Sequence, residues 1–325
     1  MSLSRRHLLS AAAAGLIPAH HSMAQEGKEL RILVPTGAGG PVDGIARVIG
    51  EQLGPALKQN VIVDNRGGAA GQLAATPVAK ASGDPNMMLL GSLGIIAMSP
   101  HLYGSSLPYD VRRDFTPVIL CARTPLALIV NPNVVPVRTV QEFTQWAKKQ
   151  KNPIPYGSYG SGSVSHIAAV MFSSAASVEM IQVPYRDQPR IFSDLVKGDL
   201  PLIFEPPTAY EGYAKEKKLR ILAVTSKSRS PAFPDLPTMD ESGFPGFDFT
   251  NWFGLFMPGK VAPAAVERVR LATKAVVESA KFRDHFLPMG FDPTGAGAED
   301  FPALVEKEIQ RWQAFVRKNN IRLAT

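Results

Sequence analysis

Beyond its first two dozen residues, the chain alternates between short apolar runs and longer segments whose apolar residues recur every third or fourth position. The first pattern predicts buried strands and the second predicts amphipathic helices. LRILVP (30–35), NVIVDN (60–65) and MMLLGS (87–92) are the first strands. A helix from about Pro41 to Leu57 separates the first two, with proline suited to its first turn. A shorter helix lies around GQLAATPVAKA (71–81). The apolar run at 116–132 is too long for one ordinary strand. It is either two strands or one that runs from one lobe into another. RTVQEFTQWAKKQ (138–150) then opens with a capping box, Thr139 with Glu142. The rhythm resumes with strands PIPYGS (153–158), VEMIQVPY (178–185), LPLIFEP (200–206) and LRILAVTS (219–226). SVSHIAAVMFSSAA (163–176), RIFSDLVKG (190–198) and TAYEGYAKE (208–216) are the helices that follow the first three of these strands. A Pro-, Gly- and aromatic-rich segment (229–249) reads as an irregular crossing, NWFGLFMP (251–258) as a further strand, and 263–280 and 299–319 as closing helices.

Strands alternating with helices give an α/β architecture with largely parallel sheets. The runs at 116–132 and 251–257 read as two crossings between two lobes. The first lobe then comprises residues 25–126 and 253–325, and the second residues 127–252.

Composition narrows the class. The 325 residues have room for two domains, and no internal apolar stretch is long enough to cross a bilayer. The formal charge of +7 includes no Lys/Arg run of the kind that marks a nucleic-acid surface. Residues 1–24 carry Arg5 and Arg6, an apolar stretch from Leu8 to Ile17, and the small-x-small ending Ser22-Met23-Ala24. That is the pattern of a cleavable secretory signal, and it implies a periplasmic location. SRRHLL fits a twin-arginine leader as well as an ordinary export signal. Loss of the leader lowers the charge to +5. Cys121 is the only cysteine, so no intramolecular disulfide forms, and its apolar setting reads as core.

The candidate chemistry lies where strands turn into helices. TGAGGPVDGIAR (36–47) follows the first strand and supplies Thr36, Gly39, Gly40, Pro41 and Asp43. Helix starts hold anions through unpaired N–H groups and the helix dipole. The loop fails the dinucleotide fingerprint, because Val42 stands where the last glycine belongs, and no Gly-Lys-Ser/Thr follows. Asp43 reads equally as an ordinary helix-start carboxylate. Ser92 closes the third strand. YGSYGSGSVSH (156–166) is a second glycine loop, with Ser158, Ser161, Ser163 and His166. It lacks the Gly-x-Ser-x-Gly elbow of hydrolases. Each serine is also a plausible N-cap, and His166 serves a ligand, the loop or the packing. VPYRDQ (183–188) offers Tyr185, Arg186 and Asp187, and Glu205 ends another strand. In parallel sheets ligands bind at this edge. The histidines lack zinc spacing, and neither a metal nor a cofactor is expected.

The blocks VPTGAGGPVDGIAR, VIVDNRGGAAG, LPYDVRRDFTPV, YGSYGSGSVSH, VPYRDQ, LRILAVTSKSRSPAFPDLPTMDESGFPGF and NWFGLFMPG resemble, in order, the signature blocks of the Bug (TctC-like) receptors. These are the extracytoplasmic solute-binding proteins of tripartite tricarboxylate transport systems. The resemblance covers essentially the whole chain after residue 24. It implies a two-lobed periplasmic binding protein of type II topology, with a two-strand hinge and a ligand cleft between the lobes. It implies a monomeric, non-catalytic receptor that closes around one small organic carboxylate and hands it to membrane permease subunits. It also implies that the loops Thr36–Asp43 and Ser158–His166 hold the carboxylate from opposite lobes. Two departures stand out: GDPNMM (83–88) replaces the family's Pro-Asp-Gly-Tyr-Thr, and Asp187 occupies a common glycine position. Glu205 stands where the family often has Asp. The rival readings are an exported α/β oxidoreductase, which the failed nucleotide motifs oppose, and a ligand sensor for a signalling partner.

Overall fold

The structure is a computed structural model that describes residues 29–185, 188–293, 300–319 and 321. The candidates Arg186 and Asp187, and the leader at 1–24, lie outside the described residues.

In chain order the elements are β1 (Leu30–Val34), α1 (Pro41–Leu57), β2 (Val61–Asn65), α2 (Gln72–Lys80) and β3 (Met87–Ser92). A π-turn (Gly94–Met98) then runs into α3 (Ser99–Tyr103), followed by α4 (Val111–Asp114), β4 (Phe115–Pro125) and β5 (Ala127–Val130). Next come α5 (Val140–Ala147), β6 (Ile154–Ser158), α6 (Val164–Ala176), β7 (Met180–Pro184), α7 (Gln188–Lys197), β8 (Leu202–Glu205), α8 (Glu211–Lys215) and β9 (Arg220–Val224). β10 (Thr250–Pro258), α9 (Pro263–Val277), α10 (Ala280–Phe286), β11 (Asp292–Pro293) and α11 (Phe301–Lys318) complete the chain.

These strands form two sheets, in the orders β11-β4-β10-β3-β1-β2 and β7-β6-β8-β5-β9. In the first, β1 pairs in parallel with β2 and β3, while β10 is antiparallel to both β3 and β4. In the second, β6 is parallel to β7 and β8, while β5 is antiparallel to β8 and β9. Each lobe therefore inserts one antiparallel strand, contributed by a chain crossing, between its third and fourth parallel strands. The two lobes share one wiring, which is the type II order that the family resemblance implies.

Apolar burial explains why the segments settle here. Ile32, Leu33 and Val34 of β1 are fully buried, as a strand covered on both faces by helices requires. α1 carries Ile45, Ile49 and Leu53 inward at helical spacing, into the cluster that holds Phe282 and Phe286. Cys121 packs in that cluster, and burial pushes its thiol up to about 12. It is an inert filler.

The run at 116–132 is two strands, and the change of sheet falls at Leu126. Thr225, fully buried just after β9, holds this point. Its Oγ1 accepts the Leu126 N–H at 2.9 Å and lies within hydrogen-bond distance of the Leu126 and Phe249 carbonyls, at 3.0 and 2.6 Å. Backbone bonds from Thr225 N–H to Leu126 and from Phe249 N–H to Thr225 complete the clasp. One threonine thus ties the outgoing crossing to the returning one.

Candidate functional site

A cleft of about 640 Å³ opens between the lobes, at the carboxyl ends of the parallel strands. Pro35 and Thr36 after β1, Gly68, Ala70 and Gly71 after β2, and Ser92, Gly94 and Ser99 at the end of β3 line one side. Tyr159, Ser161, Gly162, Ser163 and Val164, between β6 and α6, line the other. Ile95, Leu102, Tyr103 and Phe253 add apolar and aromatic surface. None of the described lining residues is charged.

The first glycine loop is fixed from behind. Gly40 caps α1 and Pro41 opens it. Asp43 is buried: its Oδ2 accepts the Gly39 N–H at 2.8 Å and Arg47 Nε at 2.9 Å, and its Oδ1 accepts Asn65 Nδ2 at 3.0 Å. Burial would raise this carboxyl, but the hydrogen bonds from Arg47, Gly39 and Asn65 outweigh burial and hold it below the usual carboxylate range. Asp43 therefore clasps the loop, and the Gly39 N–H is already spent on it. Gly39 also sits at φ +86°, where glycine is favoured. Asn65 Nδ2 reaches the Thr36 carbonyl at 3.2 Å. What the loop presents to the cleft is Thr36, whose Oγ1 is buried with no hydrogen-bond partner among the described residues. A buried, unmet hydroxyl at a cleft wall awaits a partner.

The next loop is a strained turn. Gly68, Ala69, Ala70 and Gly71 all have positive φ, at 117°, 46°, 51° and 87°. For the two alanines this conformation carries a cost of about 1–2 kcal/mol each. Such strain collects where backbone must face a ligand. At Gly71 a Cβ would meet the Ile95 side chain at 2.4 Å, so only glycine fits.

The second glycine loop is held by serines and a histidine. Ser158 is buried; its Oγ accepts Gln182 Nε2 at 2.6 Å and the Gly160 N–H at 3.3 Å. Ser161 Oγ reaches Gln182 Oε1 at 3.4 Å. Ser163 is the N-cap of α6, accepting the His166 N–H at 3.3 Å while donating to the Gly160 carbonyl at 2.8 Å. His166 Nδ1 accepts the Gly162 N–H at 2.9 Å, which puts the neutral ring's proton on Nε2. Burial keeps this imidazole neutral by lowering its pKa, and it stacks at 10° on Tyr156. Of the roles open to His166 in the sequence, the geometry displays the loop-orienting one.

The remaining candidates lie beside the cleft. The Tyr185 hydroxyl donates to Asp194 Oδ2 at 3.0 Å, an atom Arg190 Nε also reaches at 3.2 Å. Glu205 is buried at the end of β8, and its Oε1 has no hydrogen-bond partner among the described residues. Burial pushes its carboxyl up to about 8, and a hydrogen bond from the Tyr159 hydroxyl only partly offsets this. Tyr159 thus links Glu205 to the cleft that its own side lines.

Of the sequence candidates, Thr36, Ser92, Ser161 and Ser163 meet in the cleft wall. Gly39, Gly40, Pro41, Asp43, Ser158 and His166 shape the loops behind them. Tyr185 and Glu205 stand further back, and Asp187 falls outside the described residues. Gly68, Ala70, Gly71, Ser99, Tyr103, Tyr159 and Phe253 were not singled out from the sequence. NRGGAAG, directly after a strand, was the available signal for the first three.

The chain resembles known proteins over most of its length. Residues 45–321 match the family model described as tripartite tricarboxylate transporter family receptor. A UPF0065 protein in the tcbD-tcbE intergenic region of Pseudomonas sp. (strain P51) is 32% identical over 285 residues, covering 87% of this chain and 84% of that protein. Among solved structures, R. palustris Rpa4515 with adipate superposes with a TM-score of 0.79 at 31% identity, covering 91% of this chain and 99% of that one. The periplasmic binding protein BugD superposes with a TM-score of 0.75 at 29% identity, covering 90% and 98%.

Proposed function

This chain belongs to the tripartite tricarboxylate transporter receptor family, and on that premise we propose that it captures one small organic carboxylate in the periplasm by closing its two lobes on it. Delivery to the membrane permease of such a system completes the role. Residues 1–24 direct export and are then removed. The observation that carries this reading is the wall of the cleft. Side-chain hydroxyls line it from both sides, among them those of Thr36, Ser92, Ser161 and Ser163; that of Thr36 is buried and unpaired, and no described lining residue is charged. Hydroxyls and backbone N–H groups hold a carboxylate without neutralising it. The start of α6, at Ser163 and Val164, adds the favourable end of a helix dipole. Ile95, Leu102 and Phe253 suit a methylene chain, so a linear dicarboxylate is the expected shape of ligand. The solved relative Rpa4515 holds adipate. In this reading Tyr159 and Glu205 face the ligand's far end, Tyr185 flanks it, and Gly39, Gly40, Pro41, Asp43, Ser158 and His166 keep the two loops in shape.

Titration calorimetry tests this with adipate and its shorter and longer homologues on protein refolded to strip any carried ligand. One acid per chain should bind and be recovered unchanged. Thr36→Val keeps the volume and removes the unpaired hydroxyl, so it should weaken binding by about five- to thirty-fold, equivalent to roughly 1–2 kcal/mol. Recovery of a chemically altered acid, or an unchanged affinity in Thr36→Val, would overturn the reading.

A further inference from the structure

Trp252 and Phe253 are successive residues of β10, so their side chains leave opposite faces of the sheet. Phe253 lines the ligand cleft. Trp252 lines a second cavity, of about 260 Å³, behind the crossing strands. Its walls come from both lobes: Arg123 and Trp252, direct partners on β4 and β10, Arg311 from α11, and the segment from Ser226 to Pro231 that follows β9.

Most charges around this cavity are already engaged. Arg311 donates to the Asp248 carbonyl and pairs with Glu308 at 3.3 Å. Glu308 also accepts the Trp312 indole N–H at 2.8 Å. Arg229 pairs with Glu241 at 2.9 Å. The Asp248 carboxylate accepts the Thr250 hydroxyl at 3.1 Å. Arg123 and Lys227 are different: neither side chain makes a hydrogen bond or close ion pair among the described residues. Asp292, half-buried and paired with Arg123 across β11 and β4, is one of three acids in the described lining, with Asp248 and Glu308; burial raises its carboxyl, and Arg123 and Arg283 work against that rise. The Trp252 indole is 3% exposed, and its Nε1–H has no hydrogen-bond partner among the described residues. Among the described residues the cavity has one unmet buried donor and two cations that make no hydrogen bond or close ion pair, which leaves it short of an acceptor.

We infer that this rear cavity binds a small oxyanion, organic carboxylate or inorganic, through the Trp252 Nε1–H, the Arg123 guanidinium and the Lys227 ammonium. Its volume admits a molecule of a few heavy atoms, well below what the front cleft accommodates. Because both lobes line it, its width follows the angle between them. An anion there is therefore coupled to the lobe angle, and any ligand in the front cleft feels the same coupling in return.

The test follows the Trp252 indole N–H by nuclear magnetic resonance in 15N-tryptophan protein, assigned with Trp252→Phe. Sulfate and succinate are titrated separately at constant ionic strength. Each arm identifies a source: a sulfate response marks an inorganic oxyanion site, a succinate response a carboxylate site. The Trp252 signal should move downfield and saturate with at least one of them, while Trp146 stays still. Arg123→Gln should weaken that response by about tenfold, the loss of a charge-assisted bond. Asp292→Asn should strengthen it. The same titration in Thr36→Val, whose front cleft is impaired, should give an unchanged rear response, which separates this site from the carboxylate cleft. A signal that never saturates with either anion, or one that Arg123→Gln leaves unaffected, overturns the inference.

Discussion

Glu205 is a carboxylic acid buried at the end of β8. It is 4% exposed, and its carboxyl is pushed up to about 8 from an ordinary 4.5. The folded state therefore holds a proton that the unfolded chain has released between these values. The contribution of this group to stability is full below about pH 4.5 and is lost as pH rises through about 8. Glu205→Gln carries no such proton, so its melting temperature should fall less than that of the parent protein across this window. Parallel melting curves from pH 5 to 9 would remove Glu205 as a buried acid. Other residues were legible only in part. Thr36, Ser161 and Ser163 stand in plain sight as hydroxyls in glycine loops after strands. Asp43 was equally visible, but its work as a clasp was not, because Asn65, one of its three donors, comes from the next strand. The positive φ of Ala69 and Ala70 had no signature at all, since alanine does not announce that conformation.

At the level of elements, the clasp at Thr225 decides how the lobes are joined. Thr225→Val preserves shape but strips the acceptor from the buried Leu126 N–H and the hydroxyl from the two carbonyls it meets. Leaving a buried donor unmet costs about 1–3 kcal/mol. Urea denaturation should show a loss of that size, and a variant as stable as the parent would mean that the clasp is incidental. The helix expected from about Pro41 to Leu57 was readable, because a proline start and a helical apolar stripe coincide. The capping box at Thr139 also formed, with Glu142 Oε2 accepting the Arg138 N–H, one position before the cap. The break between β4 and β5 was not readable as a single answer. Apart from the exposed Arg123, the residues on either side of the break are buried, so little in the run marks it, and the bond that fixes the break comes from a residue far along the chain. The π-turn and α3 escaped for a similar reason: Ile95, Ile96, Ala97 and Met98 are all buried, which leaves no helical period to read.

For the whole molecule, the alternation of strand and helix contained the parallel part of both sheets, because parallel strands need crossover helices. The run at 116–132 does supply a strand to each sheet, whereas the run at 251–257 lies wholly in β10 of the first sheet and the return falls before it, between β9 and β10. The proposed function adds motion: the hydroxyls of Thr36 and Ser92 lie on one lobe and those of Ser161 and Ser163 on the other, and we propose that a single acid bridging them draws the lobes together. Small-angle X-ray scattering on the stripped protein, with and without saturating adipate, measures this directly. The account predicts a smaller radius of gyration with the acid bound; a radius that stays the same while calorimetry shows the acid bound would contradict it.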